Sequence, residues 1–129
     1  MAELKTERYI NDQGEFRCFG FPNTLIGKSG THEVLSTISG LEFKYFSKNI
    51  FAEEFCEFVY KNRKFTVSEP YGDNSYYDIL CEDPNTTELE EIYNVFKLVK
   101  LPTPNHKRRL LILILILVSI IGLTSYMVR

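Results

Sequence analysis

Cys18 and His32 are the side chains in this sequence best suited to covalent chemistry. A thiol that loses its proton to a neighbouring imidazole becomes a strong nucleophile, and many enzymes use such a pair. Cys18 stands between Phe16 and Phe19 in a predicted strand, where a thiol usually packs and is inert. His32 lies near the start of a short segment that fits a helix, and we interpret it as a solvated surface residue. A Cys/His enzyme site is therefore an alternative interpretation and not the main one.

The remaining chemistry-bearing motifs do not match a phosphate or metal site. The segment LIGKSGT, residues 25–31, ends like a phosphate-binding loop, but Pro22 stands where that loop has its first glycine. We interpret this segment as an ordinary glycine-rich loop. Asp73 and Asp78 lack the alternating spacing of a calcium loop, and three scattered cysteines with two histidines do not form a zinc pattern. We expect no metal, no cofactor and reduced, buried thiols.

Charge is distributed unevenly along the chain. Residues 1–96 carry nine Lys and Arg against all 17 Asp and Glu, a formal charge of −8, whereas residues 97–129 carry six Lys and Arg and no acid. An acidic body is repelled by the phosphate backbone, so we expect no nucleic-acid partner. A basic segment next to an apolar one suits an anionic lipid surface.

The apolar segment from Leu110 to Val128 is predicted to be a single transmembrane helix. It contains 19 residues without a charge, which as a helix span about 28 Å, close to the roughly 30 Å hydrocarbon core of a bilayer. A lone strand would leave its backbone groups unbonded in lipid, so a helix is favoured. The side chains that carry this prediction are Leu110, Leu111, Ile112, Leu113, Ile114, Leu115, Ile116, Leu117, Val118, Ile120, Ile121 and Leu123.

The basic residues before the predicted span indicate its orientation. Lys107, Arg108 and Arg109, which we call the basic neck, precede the span, and only Arg129 follows it. The positive-inside rule then places the N-terminal domain in the cytosol, at a bacterial inner membrane or a eukaryotic organelle membrane, with the neck at the lipid surface. Because the first residues lack the apolar core of a signal peptide, we expect a tail-anchored protein.

Two helices are predicted in the N-terminal domain, and a third segment is ambiguous. Residues 85–100 have apolar side chains at helical spacing, and Thr87 with Glu90 forms a capping-box pattern. Residues 49–64 also fit a helix, with acids early and bases late. Residues 31–39 fit a short helix and a strand almost equally well.

The strands are predicted as two hairpins and one further strand. Residues 5–10 and 15–21 flank one turn, residues 64–69 and 75–81 flank another, and residues 40–46 alternate between apolar and charged side chains. This pattern predicts an α+β domain, with a small, mostly antiparallel sheet, two or three helices and one wet sheet face.

Together these features predict three parts with different roles. Residues 1–100 form an α+β domain, residues 101–109 a proline-containing basic linker, and residues 110–128 the membrane span. The main functional hypothesis is a cytosolic protein-interaction module held at a membrane: an adaptor, an assembly factor, an immunity-type protein or a small subunit. Its expected partners are the bilayer and a protein in or near the same membrane, and homo-oligomerisation stays open. The alternatives are a membrane-tethered Cys/His enzyme, and a tail that itself oligomerises or perturbs the bilayer.

Overall fold

A six-stranded antiparallel sheet dominates the protein, which a computed structural model describes over residues 2–49, 52–70 and 75–101. The predicted α+β class and antiparallel sheet are confirmed over these ranges. The elements in chain order are β1 (Ala2–Glu3), β2 (Glu7–Ile10), β3 (Phe16–Pro22), α1 (Gly27–Ser36), β4 (Leu41–Phe46), β5 (Glu54–Tyr60), β6 (Arg63–Ser68), β7 (Tyr76–Cys81), α2 (Thr87–Lys97) and β8 (Lys100–Leu101).

The strands of the main sheet are ordered β2-β3-β7-β6-β5-β4, and β1 pairs with β8 in a separate small sheet. Both predicted hairpins, β2–β3 and β6–β7, are antiparallel neighbours, which confirms them. The strand predicted over residues 40–46 is confirmed as β4. Helix α1 carries the chain from β3 to β4, which forms the far edge of the sheet.

One face of the main sheet forms the hydrophobic core together with α1 and α2. Phe19 and Phe21 of β3 are fully buried, and the ring of Phe96 on α2 stacks on Phe21 at 4.8 Å between centroids. Phe58 and Phe65 pair across β5 and β6 with their rings stacked 4.9 Å apart. Large aromatic side chains bury much apolar area each, so this face accounts for the high aromatic content of the sequence.

The helix predicted over residues 49–64 is wrong. Residues 54–64 instead form strand β5 and the start of β6, joined by a two-residue turn at Lys61 and Asn62 with φ of 49° and 65°. Positive φ at both central residues is the geometry of the tight turn that matches the twist of a hairpin. A register irregularity between Glu54 and Cys56 interrupts the alternation of β5 and gives its apolar residues helix-like spacing.

The ambiguous segment 31–39 is largely helical. Helix α1 begins at Gly27, so the last five of the seven residues in the predicted glycine-rich loop are helical. The Thr31 hydroxyl donates to the Gly27 carbonyl oxygen at 2.7 Å, and Val34 and Leu35 are fully buried. The buried Val34 and Leu35 show which side of α1 packs on the core.

Helix α2 is confirmed within the predicted range 85–100, but its ends differ. Its N-cap is Thr86, whose hydroxyl accepts from the Leu89 backbone N–H at 3.2 Å, so the capping box of Thr87 with Glu90 is wrong. The shift accompanies a long-range contact, since Asn85 adopts a φ of 56° and exchanges two 2.8 Å hydrogen bonds with the Phe16 backbone. At the other end, Lys100 lies in β8 and not in the last turn.

Leu101, the first residue of the predicted linker, belongs to strand β8. Leu101 is buried and pairs with Ala2 across β1 and β8. Within the part of the chain that the structure describes, no helix has the length and apolar character needed to cross a membrane. The rest of the predicted linker, the basic neck and the predicted span 110–128 lie outside the described residues.

Candidate functional site

The structure places Cys18 and His32 on opposite faces of the main sheet. Cys18 is in register with Tyr9 and Leu80, on the face away from the helices. His32, on α1, stacks on the ring of Phe43 at 4.3 Å, on the helix side. The sheet therefore lies between the thiol and the imidazole, and the geometry does not bring this predicted pair together.

The environment of Cys18 also opposes a nucleophilic role. Burial, and then the charge of Asp78, raise the pKa of the Cys18 thiol to about 12. A thiol with so high a pKa is almost wholly protonated at neutral pH and is a poor nucleophile. All three cysteines lie within the described ranges, and none of them forms a disulfide.

The described acidic residues do not assemble a metal site. No group of three or more metal-ligating side chains comes together within residues 2–49, 52–70 and 75–101. Asp83 is bound by Arg63, whose Nη1 lies 2.6 Å from Asp83 Oδ2. Asp73 lies outside the described residues.

The carboxylates of α2 have a structural role, because they tie the helix to the sheet. Each of three glutamates on α2 contacts a cation from a different strand or turn, and the Tyr60 hydroxyl also donates to Glu91. The pairs are Arg8 with Glu90, Lys61 with Glu91 (3.0 Å) and Arg63 with Glu88 (3.8 Å). These acids are therefore already engaged and are poor candidates for binding a partner.

Arg8 makes the most extensive of these contacts. Its two terminal nitrogens bind both carboxylate oxygens of Glu90, one of them at 2.7 Å. Its guanidinium carbon also lies 4.8 Å from the Phe16 ring centroid and 4.3 Å from that of Tyr93. The Arg8 hydrogen bonds lower the pKa of Glu90. These contacts of Arg8 connect the edge strand β2 with α2 and stabilise their packing.

The face of the main sheet opposite the helices is the candidate site, and we call it the open face. It carries the alternate residues of each strand, and no helix within the described ranges packs on it. Leu80 is 43% exposed, Tyr45 46% and Tyr9 38%, whereas their neighbours Ile79 and Phe19 on the helix side are fully buried. The predicted wet face of the sheet is thus present and has a pronounced apolar and aromatic component.

The open face also carries acidic side chains. From strand alternation and register, its carboxylates include those of Glu7, Glu42, Glu54, Glu57 and Asp78. Glu57 and Glu42 have nearby lysines at 3.2 Å and 3.3 Å, but these are exposed ion pairs, which contribute little. Combined with the exposed aromatic and aliphatic groups, the carboxylates give a surface suited to a partner with basic and apolar groups.

Glu7, Tyr9 and Asp78 cluster around Gly20. A Cβ at residue 20 would lie 2.6 Å from Asp78 Oδ1 and still closer to the Tyr9 hydroxyl, so only glycine leaves room for both. Burial, then the charges of Asp78 and Glu7, raise the pKa of Tyr9 to about 12. The carboxylates of Asp78 and Glu7 thus lie close to the Tyr9 side chain and make this end of the open face acidic.

The alternation in 75–81 is the sequence signal for this surface, because Tyr76, Asp78 and Leu80 share one side of β7. The strand order that places them beside Tyr9 and Cys18 comes only from the fold. Comparisons with protein-family models, with curated proteins and with solved structures found no match. The candidate site is therefore defined by its own geometry and charge.

Proposed function

We propose that this protein is a single-pass membrane protein in which the α+β domain binds a protein partner at the cytosolic face. The uncharged segment 110–128 and the basic neck before it support the membrane anchor and its orientation. Anchoring confines the domain to a plane and raises its effective concentration for a partner in the same membrane.

The open face is the observation that carries the binding role. It combines exposed Leu80, Tyr45 and Tyr9 with the carboxylates of Glu7 and Asp78. Aromatic and aliphatic side chains desolvate well at an interface, while charges around them select the partner and speed association. The proposed partner therefore presents an apolar centre bordered by lysines or arginines.

Site-specific photo-crosslinking of the full chain in its native membrane tests this proposal. A benzophenone side chain at position 80 or 45 should give a discrete crosslinked protein. The same group at Ser36, an exposed residue on α1, is the matched control on the helix side. Positions 80, 45 and 36 are all exposed. A difference in crosslinking yield between the open face and position 36 therefore reports which surface binds the partner, and not how accessible each position is.

Charge neutralisation provides the second part of the experiment. Glu7→Gln should weaken the crosslink at position 80, and raising the salt concentration should weaken it further, because screening reduces electrostatic attraction. Equal labelling from positions 80 and 36, or a crosslink at position 80 that persists unchanged at high salt and in the Glu7 variant, would contradict the proposed interface.

A further inference from the structure

The end of the domain from which the chain continues towards residue 110 is fixed by the β1–β8 pair. Leu101 is buried opposite Ala2, and the Leu4 backbone N–H donates to the Val99 carbonyl oxygen at 3.0 Å. The sequence places eight residues, 102–109, between this anchored point and Leu110. Fully extended, they reach at most about 28 Å. If 110–128 spans a bilayer, as proposed above, this end of the domain stays near the membrane surface.

The same end carries an exposed basic and apolar group of side chains. Leu98, the C-cap of α2, is 48% exposed, and Lys97 and Lys100 on either side of it are exposed too. Lys5, also exposed, follows β1, the strand that pairs with β8. We call Lys5, Lys97, Leu98 and Lys100 the juxtamembrane patch.

These lysines differ from most of the other cations of the domain. Arg8, Lys61 and Arg63 each contact a carboxylate of α2 or its preceding loop. Arg17, Lys44 and Lys64 also have a carboxylate within 4.0 Å. Among the described residues, no carboxylate lies within that distance of any lysine of the juxtamembrane patch. Glu3 is the strand partner of Lys100, but their side chains do not form an ion pair.

An anionic bilayer matches this arrangement for two reasons. Lysines near a membrane surface are attracted by anionic headgroups, and an exposed leucine between them can enter the interface. The rest of the domain is strongly acidic and is repelled by the same surface, so the attraction is confined to one end. The charge distribution thus favours one orientation of the domain over free rotation on its linker.

We infer that the juxtamembrane patch rests on the anionic headgroup layer of the membrane that holds 110–128, with Leu98 inserted at the interface. This inference depends on the proposed membrane anchor. It adds that the folded domain itself contacts lipid and is held in a defined orientation, rather than hanging freely from residues 102–109.

The absence of tryptophan from the sequence allows a clean test. In the full chain, Leu98→Trp introduces a single fluorophore in the patch. Ile10→Trp introduces one at the far end of β2, where the side chain is 55% exposed. Each variant is reconstituted into nanodiscs of phosphatidylcholine and phosphatidylserine in which brominated acyl chains quench nearby tryptophan.

The fluorophore of the Leu98→Trp variant should be quenched at least twofold more than that of the Ile10→Trp variant. Adding Lys97→Gln and Lys100→Gln to the Leu98→Trp variant, or omitting phosphatidylserine, should reduce that difference by half or more. Equal quenching of the two single variants in chains that stay in the discs would overturn the docking inference and leave the anchor intact. Loss of the chain from the discs at alkaline pH would overturn the anchor and, with it, this inference.

Discussion

Replacing Arg8 should loosen the edge strand β2 from helix α2. Arg8 and Glu90 are each 39% exposed, so their ion pair is expected to contribute only about 0.2–1 kcal/mol. The stacking of the guanidinium on Phe16 and Tyr93 should add roughly 0.5–1 kcal/mol. We therefore expect Arg8→Met, which keeps the apolar stem, to lower the free energy of unfolding by about 0.7–2 kcal/mol. For a domain of this size, that lowers the Tm by roughly 3–16 °C.

The assay is urea and thermal unfolding of the full chain in mild detergent, followed by near-ultraviolet circular dichroism. Arg8→Lys should recover only part of the loss, because an ammonium lacks the planar fork that binds both Glu90 oxygens. A double-mutant cycle with Glu90→Gln separates the ion pair from the ring contacts. A Met variant within about 0.3 kcal/mol of the parent, less than the sum of the smallest contributions assigned to this cluster, would refute the reasoning.

The pH dependence of the same cluster has a defined sign. Arg8 lowers the pKa of Glu90 in the folded protein, so this pair stabilises the fold above the ordinary glutamate pKa of about 4.3. The stabilisation is lost as the pH falls from there through the lowered pKa. The difference in stability between the parent and Arg8→Met should therefore be constant near neutral pH and shrink in acid. A difference that grows in acid, below the ordinary glutamate pKa, would contradict this assignment.

Other local features give further tests. Gly20→Ala should lower the free energy of unfolding by about 1–3 kcal/mol through overpacking. Adding Tyr9→Phe should restore part of that stability, because it removes the hydroxyl oxygen that would clash with the new methyl group. A Gly20→Ala variant with unchanged stability in urea titration would contradict the packing argument. Asn62→Ala should lower the free energy of unfolding by about 1 kcal/mol because φ of Asn62 is 65°, whereas Asn62→Gly should leave it unchanged. Equal urea unfolding midpoints for the two variants would refute the turn assignment. Cys18 should react with iodoacetamide at mildly alkaline pH at least about tenfold more slowly in the folded chain than in urea; similar rates would show that its thiol is not held protonated by burial.

Strand β5 was wrongly predicted as part of a helix because its apolar residues have the spacing of a helix. Phe55, Cys56 and Phe58 are all buried because the strand is irregular near Cys56, so the apolar residues do not alternate strictly. The acids before them and the bases after them also matched the helix macrodipole. Aromatic and β-branched enrichment in 55–60 favoured a strand, but the turn at Lys61 and Asn62 lacks the glycine that usually reveals a hairpin.

The regular alternation of β7 and the helical spacing of α2 could be predicted because each side-chain pattern is local. Strand β4 could also be predicted, but its register irregularity between Phe43 and Tyr45, which puts Tyr45 on the open face, leaves no sign in the sequence alternation. The open face could not be predicted as a surface, since Tyr9 and Leu80 meet only through the order β2-β3-β7. The α2 cap moved by one residue because Asn85 bonds to the backbone of Phe16, which is distant in the sequence. Long-range contacts of this kind leave no periodic signal.

Membrane integration of the full chain tests the central claim most directly. The parent should remain in the membrane pellet after strongly alkaline extraction, and its N-terminal domain should be digested only by protease added to the cytosolic side. Leu117→Lys and Ile121→Lys should cost roughly 2.5–3.5 kcal/mol each, because both positions lie near the centre of the span, and together they should release the chain, whereas Leu117→Ile with Ile121→Leu should not. Extraction of the parent into the alkaline supernatant, or protection of its domain from cytosolic protease, would contradict the account.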